Sequence, residues 1–369
     1  MQMSKRRNVV HVIGNMSANH GGAQKVIDML RRHGEFDGRF SHYVFASLQN
    51  EYGFEGVYNA GILKALVPFV LPRRLERYFM EKNADLVHIH SAVVGVWTRK
   101  AARRVGLPTI TTLHNVPSKY RWWIWELERK GLNRDMAIAC VSQSVKDDLS
   151  GYDASVARDK AQVIYNGVDM ARFAEIAGRR ANQPSARPAD NQIRVLLFGR
   201  LSVQKGVDVA LCAVSSLIAV GRDVLLDVVG EGPELCALEA LARELGIEER
   251  VIFHGSTNDV TGYLENCDLC VLPSRWEGFG LTFIEALGSG VPVVASDIAP
   301  FREIFPACRH FVPVEDSDAL AQELTRVIEA LPAEKVNALE VAQGVRERFD
   351  VSQMVQSYTQ LYEQVLNAG

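Results

Sequence analysis

No stretch of this sequence approaches the ~18 consecutive apolar residues of a membrane-spanning helix, which argues against an integral membrane protein. Neither charge sign dominates. Lys and Arg total 41 against 44 Asp and Glu, for a formal net charge of -3, so no global attraction to nucleic acid follows. Cysteine is sparse: six residues, scattered, which suits free thiols in a reducing cytoplasm better than a disulfide frame. No G-x-G-x-x-G with a distant acidic partner occurs in either half, which weighs against a nicotinamide dehydrogenase. No DxD-type aspartate pair lies in a suitable loop, and Asp147-Asp148 falls inside a helical pattern as surface charge. Short repeats and low-complexity tracts are missing as well. The opening MQMSKRRNVVHVIGNM has basic residues before an apolar run too short for a signal segment, and it reads as a first strand. Asn15-Met-Ser17 fits a glycosylation pattern but has no secretion signal beside it.

What remains is an ordinary globular composition, 47% hydrophobic and 23% charged, over 369 residues. Single cores rarely grow past roughly 250–300 residues, so two domains are expected. Short apolar runs alternate with amphipathic segments, the signature of a parallel sheet built from strand–helix units. Strands are predicted at Val9–Ile13, His42–Ala46, Leu86–His90, Thr109–Leu113, Ala137–Val141 and Gln162–Tyr165, with helices such as Gln24–His33 and Val93–Val105 between them. Near-continuous apolar strands imply covering on both faces. A polar, aperiodic stretch, Gly178–Gln192, reads as a linker. The pattern then restarts with strands at Val195–Phe198, Leu225–Val229, Val251–His254, Leu269–Leu272, Val293–Ala295 and His310–Val312, and a helix at Glu234–Leu245. The expectation is a first Rossmann-like domain over 1–177, a linker over 178–192, a second domain over 193–350 and a closing helix in 351–369. That helix could pack anywhere, the first domain included. Open α/β sheets bind ligands outside the carboxyl ends of their strands, so the chemistry belongs in a cleft between two facing domains.

Glu277 to Glu285, EGFGLTFIE, is the strongest constellation. Gly278 and Gly280 let backbone approach a ligand, successive amides at the helix start suit a diphosphate, and Glu285 could grip ribose hydroxyls. The plain alternative is one capping and one exposed glutamate. In LFGRLSVQKG, Arg200 follows a strand end and Lys205 precedes a helix, a placement suited to phosphate charge or simply to a solvated basic turn. Asn19–Ala23, NHGGA, is a glycine turn at the end of the first strand.

GGAQKV, TLHNV, VSQSVKDDL, YNGVD, GRLSVQKG, VVGEGPE, FHG and EGFGLTFIEALGSGVPVVAS occur in that order. This ordered set, from about Val9 to Pro313, resembles the retaining glycosyltransferases of family four, whose GT-B architecture has two Rossmann-like domains. The resemblance implies an acceptor-binding first domain and a nucleotide-sugar-binding second domain. It implies that Arg200 and Lys205 bind the donor diphosphate, Glu285 the ribose and Glu277 the transferred sugar. Backbone around Gly22, Gly278, Phe279, Gly280, Leu281 and Thr282 would contact phosphates and sugar, while Gly230, Gly232, His254 and Gly255 would border the base. His114 matches the family's cleft histidine, and it and Glu277 act as positioning and polarising groups. Retention would proceed by same-face attack assisted by the leaving phosphate, without a metal or other cofactor. Gln24 departs from the GGAER often seen in the family, a change that bears on helix capping more than on chemistry. A UDP- or GDP-sugar of mannose or glucose type is the expected donor, and a lipid-linked or saccharide molecule the acceptor.

Two rivals stay open: a sugar-nucleotide epimerase of the same shape, and an inactive nucleotide-sugar-binding subunit. Other signals are set aside. Cys267 and Cys270 have CxxC spacing on a strand without thioredoxin context. His88 and His90 share a strand face, but no third ligand is indicated. Ile62–Glu81 ends in PRRLERYFME with Arg73, Arg74 and Arg77, and KYRWWIWELERK carries Trp122, Trp123 and Trp125. The tryptophans are either interfacial anchors at the inner membrane face or the core of an ordinary helix.

Overall fold

The computed structural model describes residues 6–14, 21–34, 38–48, 57–62, 67–152, 160–182 and 192–368. Two units emerge: Met1–Gly167 together with Val351–Gly369, and Val168–Asp350.

In the first unit, strands β1 (Arg7–Ile13), β2 (Phe40–Leu48), β3 (Val57–Ile62), β4 (Leu86–Ile89), β5 (Thr109–Leu113), β6 (Ala137–Cys140) and β7 (Ala161–Val163) form one sheet, in the order β3-β2-β1-β4-β5-β6-β7. Every ladder is parallel. Val9, Val10, Val12, Leu86, Val87 and Ile110 are fully buried, as strands covered on both faces require. The sequence reading lacks β3. It is an edge strand whose VYNAGI is short and broken by asparagine, so it carries little of the apolar signal of a central strand. The helices are α1 (Gly22–Gly34), α2 (Val67–Glu81), α3 (Ala92–Arg104), α4 (Trp122–Leu132) and α5 (Gln143–Tyr152).

The second sheet has β8 (Ile193–Phe198), β9 (Val224–Val229), β10 (Val251–Phe253), β11 (Leu269–Leu272), β12 (Val293–Ser296) and β13 (Phe311–Val312), again all parallel, in the order β10-β9-β8-β11-β12-β13. Helix α6 (Ala171–Asn182) opens this unit, followed by α7 (Val207–Ala219), α8 (Leu235–Glu244), α9 (Thr261–Asn266), α10 (Leu281–Gly288), α11 (Ala299–Ile304), α12 (Ser317–Glu329) and α13 (Leu331–Phe349). In both sheets the strand order reverses beside the first strand, between β1 and β4 and between β8 and β11. That is the switch point at which open α/β sheets receive ligands.

The boundary expected at 177 moves. The chain enters the second unit at Val168, and Gly178–Asn182 completes α6 rather than beginning a linker. Phe173, Ile176 and Ala177 are buried on one face of that helix, and Arg180 donates to the carbonyls of Leu264, Glu265 and Cys267. A helix pinned at its last turn continues past the polar residues that read as its end. Residues 183–191 of the expected linker lie outside the described residues.

The closing helix α14 (Val351–Ala368) belongs to the first unit. Met354, Tyr358, Leu361, Tyr362 and Val365 recur at helical spacing and pack with Val9, Leu30, Phe40, Leu86 and Ile110. Their polar atoms are matched too: Tyr362 Oη lies 2.9 Å from His88 Nδ1, and Tyr358 Oη 3.0 Å from Thr112 Oγ1.

A buried ionic knot fixes α3 and α4 to this sheet. Arg99 bonds Asp135 through Nε and Nη2 and Glu128 through Nη1 and Nη2, while Thr109 and Thr111 donate to Asp135. Gly131 makes room, since a Cβ there would sit 2.4 Å from Arg99 Nη1. Arg99→Ala leaves two carboxylates buried without their cation, and should cost about 3–5 kcal/mol. Denaturant unfolding of the variant checks this.

Candidate functional site

At the carboxyl edge of the second sheet, the loops that follow β8, β9 and β10 are laced together through their backbones. Gly199 N–H donates to Val229 O, Leu201 N–H to Glu231 O, and Gly230 N–H to Gly255 O, at 2.9, 2.9 and 2.7 Å. Three of the motif glycines are explained here. Gly206 has φ +63° and its missing Cβ would lie 2.1 Å from Pro273 O, so the loop after β8 touches the loop after β11 through bare backbone. Gly230, at φ +150°, would place a Cβ 1.8 Å from Gly199 O. Gly232 is similarly close to Leu201 O, at 1.9 Å. The His254 ring bonds Asp227, Nε2 to Oδ1 at 2.7 Å, and stacks edge-on to Tyr263. Of the four residues assigned to the base, Gly230, Gly232 and Gly255 thus join neighbouring loops, and His254 turns its ring back to the sheet.

Between β8 and β11, the switch point, the structure joins two of the predicted residues directly. Lys205 Nζ donates to Glu277 Oε1 at 2.6 Å. Glu277, 6% exposed, also accepts from Ser274 Oγ at 2.9 Å and from Gln204 Nε2 at 3.2 Å. Arg275 ties the same two loops from outside, through Val203 O, Asp208 and Glu315. Hydrogen bonding to Asp208 holds that carboxyl below, and the Arg275 guanidinium above, their ordinary ranges. Gln204, Ser274 and Arg275 were not singled out from sequence. The signal available was their polarity immediately after buried strand ends.

Helix α10 begins at this spot with Gly280, φ +114°, and no side-chain hydrogen bond caps its first turn, although Phe283 N–H already donates to Gly280 O at 3.0 Å. Thr282 is in that turn, with a buried Oγ1 that has no partner among the described residues. It lies beside Gly199 and Lys205: a Cβ on Gly199 would be 3.8 Å from Thr282 Cγ2 and 3.4 Å from Lys205 Cε. Glu285 is one turn further on and 1% exposed. Gly278 is buried, and Phe279 and Leu281 bury their side chains at 3% and 8%, so these three offer a ligand backbone alone. Arg200 is exposed and pairs with no described residue. The result is an enclosed carboxylate, two cations and an uncapped helix start on one sheet edge. A cavity of about 320 Å³ lies elsewhere, lined by Val291, Val293, Cys308, His310 and Glu334 at the amino ends of β12 and β13.

In the first unit, Gly22 is the first residue of α1, and Asn19 and His20 lie outside the described residues. His114 directly follows β5 at the carboxyl edge. It is the end of a row that the sequence reading did not see. His42 Nδ1 meets His11 Nε2, His11 Nδ1 meets His90 Nε2, and His90 Nδ1 meets His114 Nε2, each at 2.9 Å. His11 also corrects the reading that His88 and His90 lack a third metal-type partner. Ligand atoms of His11, His88 and His90 lie within 4.8 Å of one another. These atoms are engaged, however: His88 bonds Tyr362 and Thr112, and His11 bonds His42 and His90. Among the tryptophans, Trp125 is core at 2% exposure, while Trp122 and Trp123 are exposed at 78% and 40%. Cys267 and Cys270 are buried free thiols.

Burial, with neighbouring imidazoles adding to it, pushes His11, His88 and His90 well below the ordinary histidine range, and burial pushes His114 down to about 3. The folded protein therefore refuses protons that the unfolded chain accepts below about pH 6.5. Stability is complete above that pH and falls as pH drops through it, by up to about 1.4 kcal/mol per pH unit for each ring. Calorimetric melting between pH 7.5 and 5 should show this fall, and it should be shallower in His114→Asn.

Two family descriptions match the chain: Glycosyl transferases group 1 over residues 178–339, and Glycosyltransferase Family 4 over residues 20–172. Among curated relatives, N-acetyl-alpha-D-glucosaminyl L-malate synthase of Bacillus anthracis is 23% identical over 80% of this chain and 79% of its own. The phosphatidyl-myo-inositol mannosyltransferase of Mycolicibacterium smegmatis is 26% identical over 85% and 79%. Among solved structures, Anabaena HepE in complex with UDP-glucose matches with TM-score 0.79 and 21% identity, over 97% of this chain and 99% of that one. Sucrose-phosphate synthase from Thermosynechococcus elongatus matches at 0.81 and 20%, over 99% and 100%. At such identities the structural matches speak for the fold, and the family models speak for the activity. The chain belongs to glycosyltransferase family four and is a glycosyltransferase with the GT-B pair of parallel-sheet α/β domains.

Proposed function

We propose that this glycosyltransferase moves a hexose of mannose or glucose type from a UDP- or GDP-sugar to a lipid-linked or saccharide acceptor, with retention of configuration and without a metal. The observation that carries this reading is the Lys205–Glu277 pair at the uncapped start of α10. An ammonium has three N–H donors. One is committed to Glu277, and two are left for phosphate oxygens. Arg200 and the first amides of α10 add positive potential where a departing diphosphate gathers charge. Glu277, fixed by three donors, is a rigid acceptor for sugar hydroxyls, and Glu285 is assigned to the ribose. HepE solved with UDP-glucose supports the donor class, and the mannosyltransferase relative supports a lipid acceptor.

In this scheme the anomeric C–O bond to phosphate breaks, and its electron pair leaves with the nucleoside diphosphate. The acceptor oxygen bonds the anomeric carbon from the same face, and its proton passes to the departing phosphate oxygen. His114 positions or polarises a substrate hydroxyl. The scheme also places the chain peripherally at the cytoplasmic membrane face, which the exposed Trp122 and Trp123 support, with Arg121 over the Trp123 ring. Arg73, Arg74 and Arg77 are exposed on α2, and α3 packs against both α2 and α4, so these elements share one layer. None of the described helices is long and apolar enough to cross a membrane.

Calorimetry with UDP, GDP and ADP in EDTA should find one tight nucleotide, with affinity about 10–100-fold weaker in Lys205→Ala. Glu277→Gln should keep diphosphate affinity within a few-fold while lowering kcat by about 100-fold or more. No nucleotide binding at all would overturn the reading. Flotation with anionic liposomes should retain the wild type and release a Trp122→Ser/Trp123→Ser double variant; indifference of both would remove the membrane part.

A further inference from the structure

The four-histidine row follows from the register of the first sheet. His42 on β2 pairs with Val9, and His11 is two residues further along β1. His11 pairs with His88, and His90 is two residues beyond it. Ile89 pairs with Thr111, so His90 is level with Thr112, and His114 is two residues further again. Each step crosses one strand and advances two residues. A step of two keeps every ring on the same face, and the row runs diagonally toward the carboxyl edge. Ring centroids are 5.2 Å apart at each of the three steps.

A neutral imidazole has one N–H and one lone pair. Each hydrogen bond in the row needs one of each. Once one ring is set, the next must follow, so neutral rings allow two arrangements: all four protonated on Nε2, or all four on Nδ1. In the first, protons point from His114 toward His42, and His114 Nδ1 shows a lone pair. In the second, that atom shows an N–H. His114 Nδ1 is buried and has no partner among the described residues. A buried donor without an acceptor is rarer in folded proteins than a buried acceptor left short, which favours the first arrangement. The row is insulated on its flank, because His88 is held by Tyr362 and Thr112 and joins none of the three bonds.

We propose that His90, His11 and His42 are positioning residues that set His114 Nδ1 as a hydrogen-bond acceptor for a substrate hydroxyl, acting as one chain across one face of the sheet. The proposal rests on the reading that His114 meets substrate, and it extends that reading to residues up to three strands away. His42 is the switch. If its Nδ1 is removed, His11 Nε2–H loses its acceptor; both directions then keep the two remaining ring–ring bonds and leave one donor unmatched, at His11 Nε2 or at His114 Nδ1, so nothing holds the row to the first arrangement. Reversal turns His114 Nδ1 from acceptor to donor.

Long-range ¹H–¹⁵N spectra of histidine-labelled, substrate-free protein read the protonated nitrogen of each ring. Nε2–H in all four rings is expected in the wild type; a mixture along the row, or Nδ1–H throughout, overturns the proposal. In His42→Phe, Nδ1–H should appear in the three remaining rings and kcat should fall about twofold or more with donor KM little changed. His42→Asn, whose carbonyl can stand where Nδ1 stood, should restore both. Gly34→Ala is a second perturbation, since its methyl would lie 2.4 Å from His42 Nε2 and turn that ring aside; it should act in the same direction as His42→Phe. Unchanged His114 tautomers in both variants overturn the coupling. Unimpaired turnover in His114→Ala would instead remove the substrate role of His114, and it would leave the spectra as they are.

Discussion

Burying a carboxylate as fully as Glu277 is costly unless donors surround it, and that requirement ties the two loops of the second unit together. Lys205 and Gln204 come from the loop after β8, and Ser274 from the loop after β11. For them to converge, the loops must touch, and they touch where Gly206 leaves no side chain against Pro273. Arg275 closes the same junction from the solvent side. Charge, glycine and ion pair therefore serve one geometry. Its product is a lysine that already has its orientation before any phosphate arrives, so less rotamer entropy is lost on binding.

Much of the fold was legible because parallel strands covered on both faces must be apolar throughout, and Thr109–Leu113 and Leu269–Leu272 are strands with the predicted bounds. The edge strand β3 lacked that composition and went unread. The unit boundary was misplaced because Gly178–Asn182 looks like linker by composition, and what keeps it helical is an arginine reaching carbonyls more than eighty residues away.

The site divides along the same line. Lys205 and Glu277 were legible as residues, each inside a motif, but their bond joins loops seventy-two positions apart and depends on β8 and β11 being neighbours. Gly278 and Gly280 were read as letting backbone approach a ligand, and Gly230 as bordering the base. Gly206 and Gly230 clear space for neighbouring backbone, and sequence does not say for whom room is made. The histidine row is more hidden still. Its four members sit on or just past four separate strands, and the constant two-residue stagger exists only once the register is known.

Helix α14 carries a consequence for how the molecule is made. The face of the first sheet that holds His88 and Thr112 is closed by Tyr358 and Tyr362, which are synthesised after the whole of the second unit. During translation the earlier strands emerge with that face still wet, whereas residues 168–350 form an uninterrupted segment able to complete its own core. The first unit thus begins first and finishes last. Its sheet waits for a partner that closes the longest loop in the chain, an ordering that exposes apolar strand surface to chaperones for most of the polypeptide's emergence.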